Sequence, residues 1–332
     1  MSLIVELSQT VNCQDVVKIA RDACHVILQV YNSQAESWNV EHKADDSPLT
    51  RADKEANAVI CDGLARIGKR RWDNLIYGWL NFFILRKEEF LCITPAVAPH
   101  IPVVSEENQQ VAYETRKGYQ YSWCVDPLDG TKEFVKRNGQ FTVNIALLRG
   151  SRPVLGVVAV PVDGTVYWAA KGQGAFVQRT EQDGPQRLQC AEVDMSQSGL
   201  VVVASASHLT PETQEFVAQL QAPTFQQLGS SLKLLMVAEG VAHVYPRLAP
   251  TCEWDTAAAH AIVEEAGGCV LQAGLCDSKG KLLEDWKAAL AKQIPVQYNK
   301  EIALNPYFVV YGRTKKLIFP HEHGTGMKLA TD

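Results

Sequence analysis

The stretch Trp123-Cys124-Val125-Asp126-Pro127-Leu128-Asp129-Gly130-Thr131-Lys132-Glu133-Phe134 decides how the rest of the chain is read. Its apolar start, Trp123 to Val125, reads as a strand that ends abruptly in Asp-Pro. Pro127 fixes its own φ and pushes Asp126 into an extended conformation, while Gly130 permits a tight turn. Two carboxylates, Asp126 and Asp129, are thereby held at a strand end beside the hydroxyl of Thr131. Paired carboxylates with a backbone carbonyl between them suit a hard cation such as Mg²⁺, which takes oxygen ligands in near-octahedral geometry. For either Asp alone, a surface turn capped by its own side chains is the plain alternative. The compact Asp-Pro-Leu-Asp-Gly-Thr string points instead to a metal site.

Working outward, Ile101-Pro-Val-Val-Ser105-Glu106-Glu107-Asn108 repeats the pattern of a short strand ending in acid. It is either a strand edge with solvated Glu or a second contribution to one site. Further upstream, Val17, Ala20, Cys24, Ile27, Leu28 and Tyr31 recur at helical spacing, which predicts an amphipathic helix over Gln14 to Tyr31. Glu36 to Asp46 is polar and reads as a hairpin or loop. Ser47-Pro-Leu-Thr50-Arg-Ala-Asp53 then opens a second helix with Ala56, Ile60, Leu64 and Ile67 on one face. Thr50 or Asp53 could simply cap it. That helix is expected to stop near Ile67-Gly68. The following stretch, Gly68 to His100, places Trp72, Trp79, Phe82 and Phe83 among basic clusters without a sharp period. It reads as an insertion, an interfacial helix or an oligomer contact.

Downstream of Thr131, the runs Thr142 to Leu148, Val154 to Val160 and Thr165 to Ala170 predict consecutive antiparallel strands, the last two joined at Asp163-Gly164. Gln178 to Ser198 is polar and marks a candidate domain boundary. Beyond it, strand and helix alternate: Leu200 to Ala204, Pro211 to Leu220, a helix opened by Gly229-Ser230-Ser231-Leu-Lys233, and a strand leading to Tyr245-Pro-Arg247. Glu253-Trp254-Asp255-Thr-Ala-Ala-Ala-His260 opens an Ala-rich helix that stops at Gly267-Gly268. The expected organisation is an α+β part over 1–178 carrying the acidic motifs, an α/β part over 179–320, and a frayed, disordered tail over 321–332 that includes His321 and His323.

Composition bounds the function. With 46% apolar and 21% charged residues and 22 Gly in 332 residues, the chain is globular with ample material for a core. A net charge of −5 and a pI near 5.9 give no electrostatic support to nucleic-acid or membrane-surface binding. The nine Cys are scattered, without a C-x-x-C pair, and fit a reducing, cytoplasmic setting with organelles left open. Met1 to Thr10 lacks the pattern of a signal peptide. No run reaches the roughly 18 apolar residues of a membrane span, so no membrane insertion is expected.

Taken in order, Ser105-Glu106-Glu107, Asp126-Pro-Leu-Asp129-Gly130-Thr131 and Trp254-Asp255-Thr-Ala-Ala resemble the inositol monophosphatase superfamily of metal-dependent, lithium-sensitive phosphatases. Gly229-Ser-Ser-Leu-Lys233, Tyr245-Pro-Arg247, Tyr298-Asn-Lys and Leu304-Asn-Pro are similar to its 3′(2′),5′-bisphosphate nucleotidase branch in the bacterial-type form. The resemblance covers roughly residues 10–67 and 100–313 and departs at Gly68 to His100. It implies a layered αβαβα sandwich and a cluster of two or three Mg²⁺ held by Glu106, Asp126, Asp129 and Asp255 with the Leu128 carbonyl. Asp53 and Thr131 would hold and deprotonate the attacking water. Gly130, Thr131, Ser230, Lys233 and Arg247 would face the substrate, with His208 near the nucleotide. The implied reaction removes the 3′-phosphate of adenosine 3′,5′-bisphosphate, with its 5′-phosphosulfate analogue as a second substrate, in sulfur metabolism. The implied partner is thus a small nucleotide, and the chain would be a monomer or homodimer. An inositol (poly)phosphate phosphatase, a non-catalytic nucleotide sensor and a protein that assembles through Trp72 to Leu85 are the competing readings.

Overall fold

The computed structural model describes residues 11–43, 47–83, 101–180, 183–204 and 210–314, with only the helical backbone described over 68–83. His208, residues 84–100 and the tail with its two histidines lie outside the described residues.

The chain opens with helix α1 (Cys13–Tyr31), capped by the Asn12 side chain, which accepts from the Gln14 N–H at 3.0 Å. A short hairpin follows, β1 (Glu41–His42) antiparallel to β2 (Pro48–Leu49), and leads into helix α2 (Arg51–Phe83). The expected stop near Ile67 is not observed. A single interior glycine costs a helix only about 1 kcal/mol relative to alanine, and the next proline after Gly68 is Pro95, so nothing local terminates α2 there.

Next come β3 (Val103–Ser105), helix α3 (Tyr113–Arg116), β4 (Tyr121–Asp129), the short helix α4 (Thr131–Val135), β5 (Thr142–Arg149), β6 (Arg152–Ala159), β7 (Val166–Ala170), β8 (Gly174–Gln178) and β9 (Gln186–Arg187). They form a seven-stranded sheet in simple sequence order, parallel between β3 and β4 and antiparallel thereafter. The alternation seen in sequence is a two-sided burial. Trp123, Val125, Ile145, Leu147 and Val157 face Ile27, Ile60 and Leu64 of α1 and α2, while Cys124, Ala146, Leu148 and Val158 face the other way.

The second half supplies β10 (Val201–Ala204), α5 (Pro211–Ala218), β11 (Thr224–Gln227), α6 (Leu232–Ala238), β12 (Val244–Arg247), α7 (Glu253–Glu265), β13 (Cys269–Gln272), α8 (Trp286–Ala291) and β14 (Phe308–Tyr311). Its five strands order β11-β10-β12-β14-β13. The helices α6 and α7 fill the space between the two sheets: Leu235, Ala258 and Ile262 share one core with Ala146 and Val158 on one side and Tyr245, Val270 and Val310 on the other. Phe216 of α5 and Trp286 and Leu290 of α8 cover the outer face of the second sheet. The result is the five-layer helix–sheet–helix–sheet–helix sandwich expected. Within the polar stretch Gln178 to Ser198, Leu188, Cys190 and Met195 are buried.

Helix α7 lies unusually close to the first sheet because β6 offers it a glycine. A Cβ built on Gly156 would stand 2.1 Å from the Ala258 carbonyl oxygen, so only hydrogen fits there. The run Ala257-Ala258-Ala259 presents the matching small face. This contact sets the height at which Asp255, in the first turn of α7, stands over the end of β4. No helix among the described residues is long and apolar enough to cross a membrane.

Candidate metal centre

The end of β4 is bent by its own sequence. Asp126 pairs with Asn144 and Asp129 with Thr142 on β5, so the two residues between them, Pro127 and Leu128, disturb the ladder as a bulge. The Leu128 N–H donates to Asp126 Oδ1 at 3.0 Å, which fixes that carboxylate, and Gly130 follows with φ +97°. Thr131 begins α4 and donates its hydroxyl hydrogen toward the Leu128 carbonyl at 3.2 Å and Asp53 Oδ1 at 3.1 Å.

Asp53 serves two purposes. Its Oδ2 accepts from the Thr50 N–H at 2.7 Å and the Thr50 hydroxyl at 2.6 Å, while the Ala52 N–H donates back to Thr50 Oγ1 at 3.1 Å. This is a capping box with Thr50 at the N-cap and Asp53 at the third helical position. The capping reading is therefore correct for one oxygen, and the other oxygen faces Thr131. Burial pushes the Asp53 carboxyl up to about 6, against the lowering effect of the Thr50 hydrogen bonds.

Asp255 arrives from the middle layer, its Oδ2 accepting from the Cys252 N–H at 2.9 Å. Asp126, Asp129 and Asp255 each bring one carboxylate oxygen to within 4.8 Å of the others. Burial first, then the charges of Glu106, Asp129 and Asp255, hold the Asp126 carboxyl well above the ordinary carboxylate range. Burial and the Asp129 charge raise Asp255 as well. Carboxylates brought together at this cost, with oxygen donors only, fit a hard divalent cation that would neutralise them.

Glu106 lies beside the trio, and its carboxyl is raised by burial and by nearby Glu107 and Asp129 against the pull of Lys43. It is engaged by Lys43 of the β1–β2 hairpin, whose Nζ reaches Glu106 and Glu107 at 2.6 Å each. Sequence reasoning missed Lys43, which sits in a polar stretch with no period to mark it.

Sequence reasoning also missed the polar seat beneath Asp129. Its Oδ2 receives the Ser230 hydroxyl at 2.6 Å, the Ser231 N–H at 2.7 Å and the Asn144 amide at 3.4 Å. Asn144 is 1% exposed. An amide within the apolar run Thr142 to Leu148 was the available signal, since a buried polar side chain in a strand needs partners.

The substrate-side candidates gather at the same edge. Ser230 adopts φ +52°. Lys233, 7% exposed, donates to the carbonyls of Ser230 at 2.6 Å and Leu228 at 3.3 Å. Burial lowers its pKa to about 8, with the charge of Asp129 opposing and that of Arg247 reinforcing the shift. Arg247 donates to the Pro250 carbonyl at 2.9 Å, and its buried Nε has no partner among the described residues.

This is a phosphatase-type acidic centre in a five-layer sandwich, and the comparisons agree. The inositol monophosphatase family model matches residues 88–305, and the chain belongs to that family. It is 39% identical over 296 residues to the 3′(2′),5′-bisphosphate nucleotidase CysQ of Shigella flexneri, covering 89% of this chain and 97% of that one. The Escherichia coli K12 protein of the same name is 38% identical over the same shares. Among solved structures, CysQ from Bacteroides thetaiotaomicron superposes with a TM-score of 0.66 at 36% identity, covering 94% of this chain and 99% of that one. The inositol monophosphatase of Anabaena shares the fold at a TM-score of 0.52 and 20% identity, over 91% of this chain and 89% of its own.

Proposed function

We propose that the chain is a Mg²⁺-dependent 3′(2′),5′-bisphosphate nucleotidase that converts adenosine 3′,5′-bisphosphate and water into AMP and phosphate, with the 5′-phosphosulfate analogue as a second substrate. The supporting observation is the pairing of the carboxylate trio with two neighbouring cations, Lys233 and Arg247, neither of which is ion-paired with a carboxylate among the described residues. Lys233 is buried and Arg247 half-buried, and two like charges so placed repel and are stabilised by an anion, which a second phosphate supplies. The Shigella flexneri and Escherichia coli relatives, at 38–39% identity, carry the same activity in their names.

Asp126, Asp129 and Asp255, with the Leu128 carbonyl and Glu106 once it parts from Lys43, would hold the metal. When bound, Mg²⁺ neutralises phosphoryl oxygens and makes water a better nucleophile. The Thr131 hydroxyl, donating to Asp53 Oδ1, leaves its own oxygen free to accept from the attacking water and orient it. Asp53 takes the proton, and a carboxyl lifted to about 6 by burial is suited to that exchange near neutral pH. Gly130, with its φ of +97°, turns the chain beside the scissile phosphate, while Ser230, Lys233 and Arg247 hold the other phosphate. His208 belongs near the nucleotide in this reading. A small nucleotide partner, a monomer or homodimer, and a reducing cytoplasmic setting complete it.

The test is phosphate release from a panel of adenosine bisphosphates, the phosphosulfate analogue and inositol 1-phosphate. The expected result is turnover of the bisphosphates well above inositol 1-phosphate. Equal or better turnover of inositol 1-phosphate overturns the substrate assignment.

A further inference from the structure

Ser231 precedes helix α6 and belongs to neither the sheet bearing Asp129 nor the helix bearing Asp255, yet it touches both. Its N–H donates to Asp129 Oδ2 at 2.7 Å. Its Oγ lies 3.0 Å from the same oxygen and 2.5 Å from the main-chain carbonyl of Asp255. The Asn144 amide donates to that Oγ at 2.9 Å, and Asn144 is itself fixed by the Thr142 hydroxyl, which donates to its Oδ1 at 2.9 Å. Ser231 is 1% exposed, so water does not substitute for these partners.

The hydroxyl has one proton and two acceptors. Because Asn144 already supplies a donor to the serine oxygen, the proton points at Asp255 O or Asp129 Oδ2, and both are held within 3.0 Å of one atom. Asp129 and Asp255 repel each other and come from different layers of the sandwich. The Ser231 hydroxyl therefore acts as a bolt between two elements that electrostatics would part. The donors also converge on Asp129 Oδ2, which leaves Oδ1 for a cation.

We infer that Ser231, supported by Asn144, is a positioning residue that sets the cation affinity of the site by holding Asp129 and the first turn of α7 at a fixed separation. The inference rests on the metal reading above. Hydrogen-bond partners that orient metal ligands are typically worth about 10–100-fold in metal affinity or activity, and Ser231→Ala and Asn144→Ala should each weaken binding by that factor.

The experiment is an Mn²⁺ titration of the full chain followed by electron paramagnetic resonance, beside thermal unfolding in EDTA and in saturating Mn²⁺. The expected result is a 10–100-fold weaker Mn²⁺ affinity in both variants, a smaller Mn²⁺-induced rise in Tm, and recovery toward wild type in Ser231→Thr, which keeps the hydroxyl. Folded variants that bind Mn²⁺ within twofold of wild type overturn the inference. So does an equal loss of Tm with and without Mn²⁺, the mark of a purely structural role. A wild-type chain that binds no Mn²⁺ refutes instead the metal reading beneath it.

Discussion

Gly156→Ala is a one-carbon perturbation at a residue outside the carboxylate trio, and it should disable the site. The added Cβ would stand 2.1 Å from the Ala258 carbonyl oxygen, 2.9 Å from its carbon and 3.0 Å from the Ala261 Cβ. That is about 1.3 Å inside ordinary van der Waals contact, against helix backbone that has no rotamer to change. Helix α7 must therefore move off the first sheet by about an ångström, or β6 must buckle. Overpacking of this kind costs roughly 1–3 kcal/mol, occasionally more. Because Asp255 rides on α7 and Asp126 and Asp129 are anchored to the sheet, the same retreat opens the carboxylate trio. Misplacing catalytic groups by about 1 Å can cost about 100-fold in rate. Thermal unfolding and steady-state kinetics on the same preparation read both effects: a lower Tm, and kcat reduced by about two orders of magnitude with weaker metal affinity. A variant with wild-type Tm and wild-type kcat would show that α7 does not hold the site through this contact.

Asp53→Asn should lower kcat by about 10²–10⁴-fold while leaving substrate KM nearly unchanged, since it removes the proton acceptor but not a binding contact. In the proposed mechanism Asp53 acts as the carboxylate, so with its folded pKa raised to about 6 the wild-type rate should fall as pH drops through that region. An acid limb that persists in Asp53→Asn would assign the titration to another group. Lys233→Ala or Arg247→Ala should mainly raise KM for the bisphosphate, by about 10–100-fold if each charged hydrogen bond is worth about 1.5–3 kcal/mol. A fall in kcat at constant KM would mean that the cation acts on the transition state instead.

Much of this was legible in the chain because local chemistry and global fold point the same way. The Asp-Pro-Leu-Asp-Gly-Thr string encodes its own bulge and turn, and the apolar alternation of β4 to β7 gives a sheet buried on both faces. The end of α2 was misread because Gly68 was taken as a stop, whereas a helix with no proline or cap to close it runs on. What remained hidden is non-local. Asn144 and Ser231 are 87 residues apart, and their partnership with Asp129 exists only once the second half of the chain folds over the first. Lys43 reaches Glu106 across 63 residues from a polar loop, where a lysine is ordinarily just solvated surface. Asp53 read as a cap or as a catalytic group, and the structure assigns one oxygen to the cap and turns the other toward Thr131.

The central claim is that a cluster of buried and half-buried carboxylates and a neighbouring pair of cations make a metal-dependent site for one particular phosphate of a bisphosphate nucleotide. It is tested most directly by following adenosine 3′,5′-bisphosphate by phosphorus nuclear magnetic resonance, with Mg²⁺ and after chelation by EDTA. The account predicts inorganic phosphate and AMP retaining its 5′-phosphate in Mg²⁺, and no change in EDTA until Mg²⁺ is restored. Adenosine 3′-phosphate as the product, or full turnover in EDTA, would contradict it.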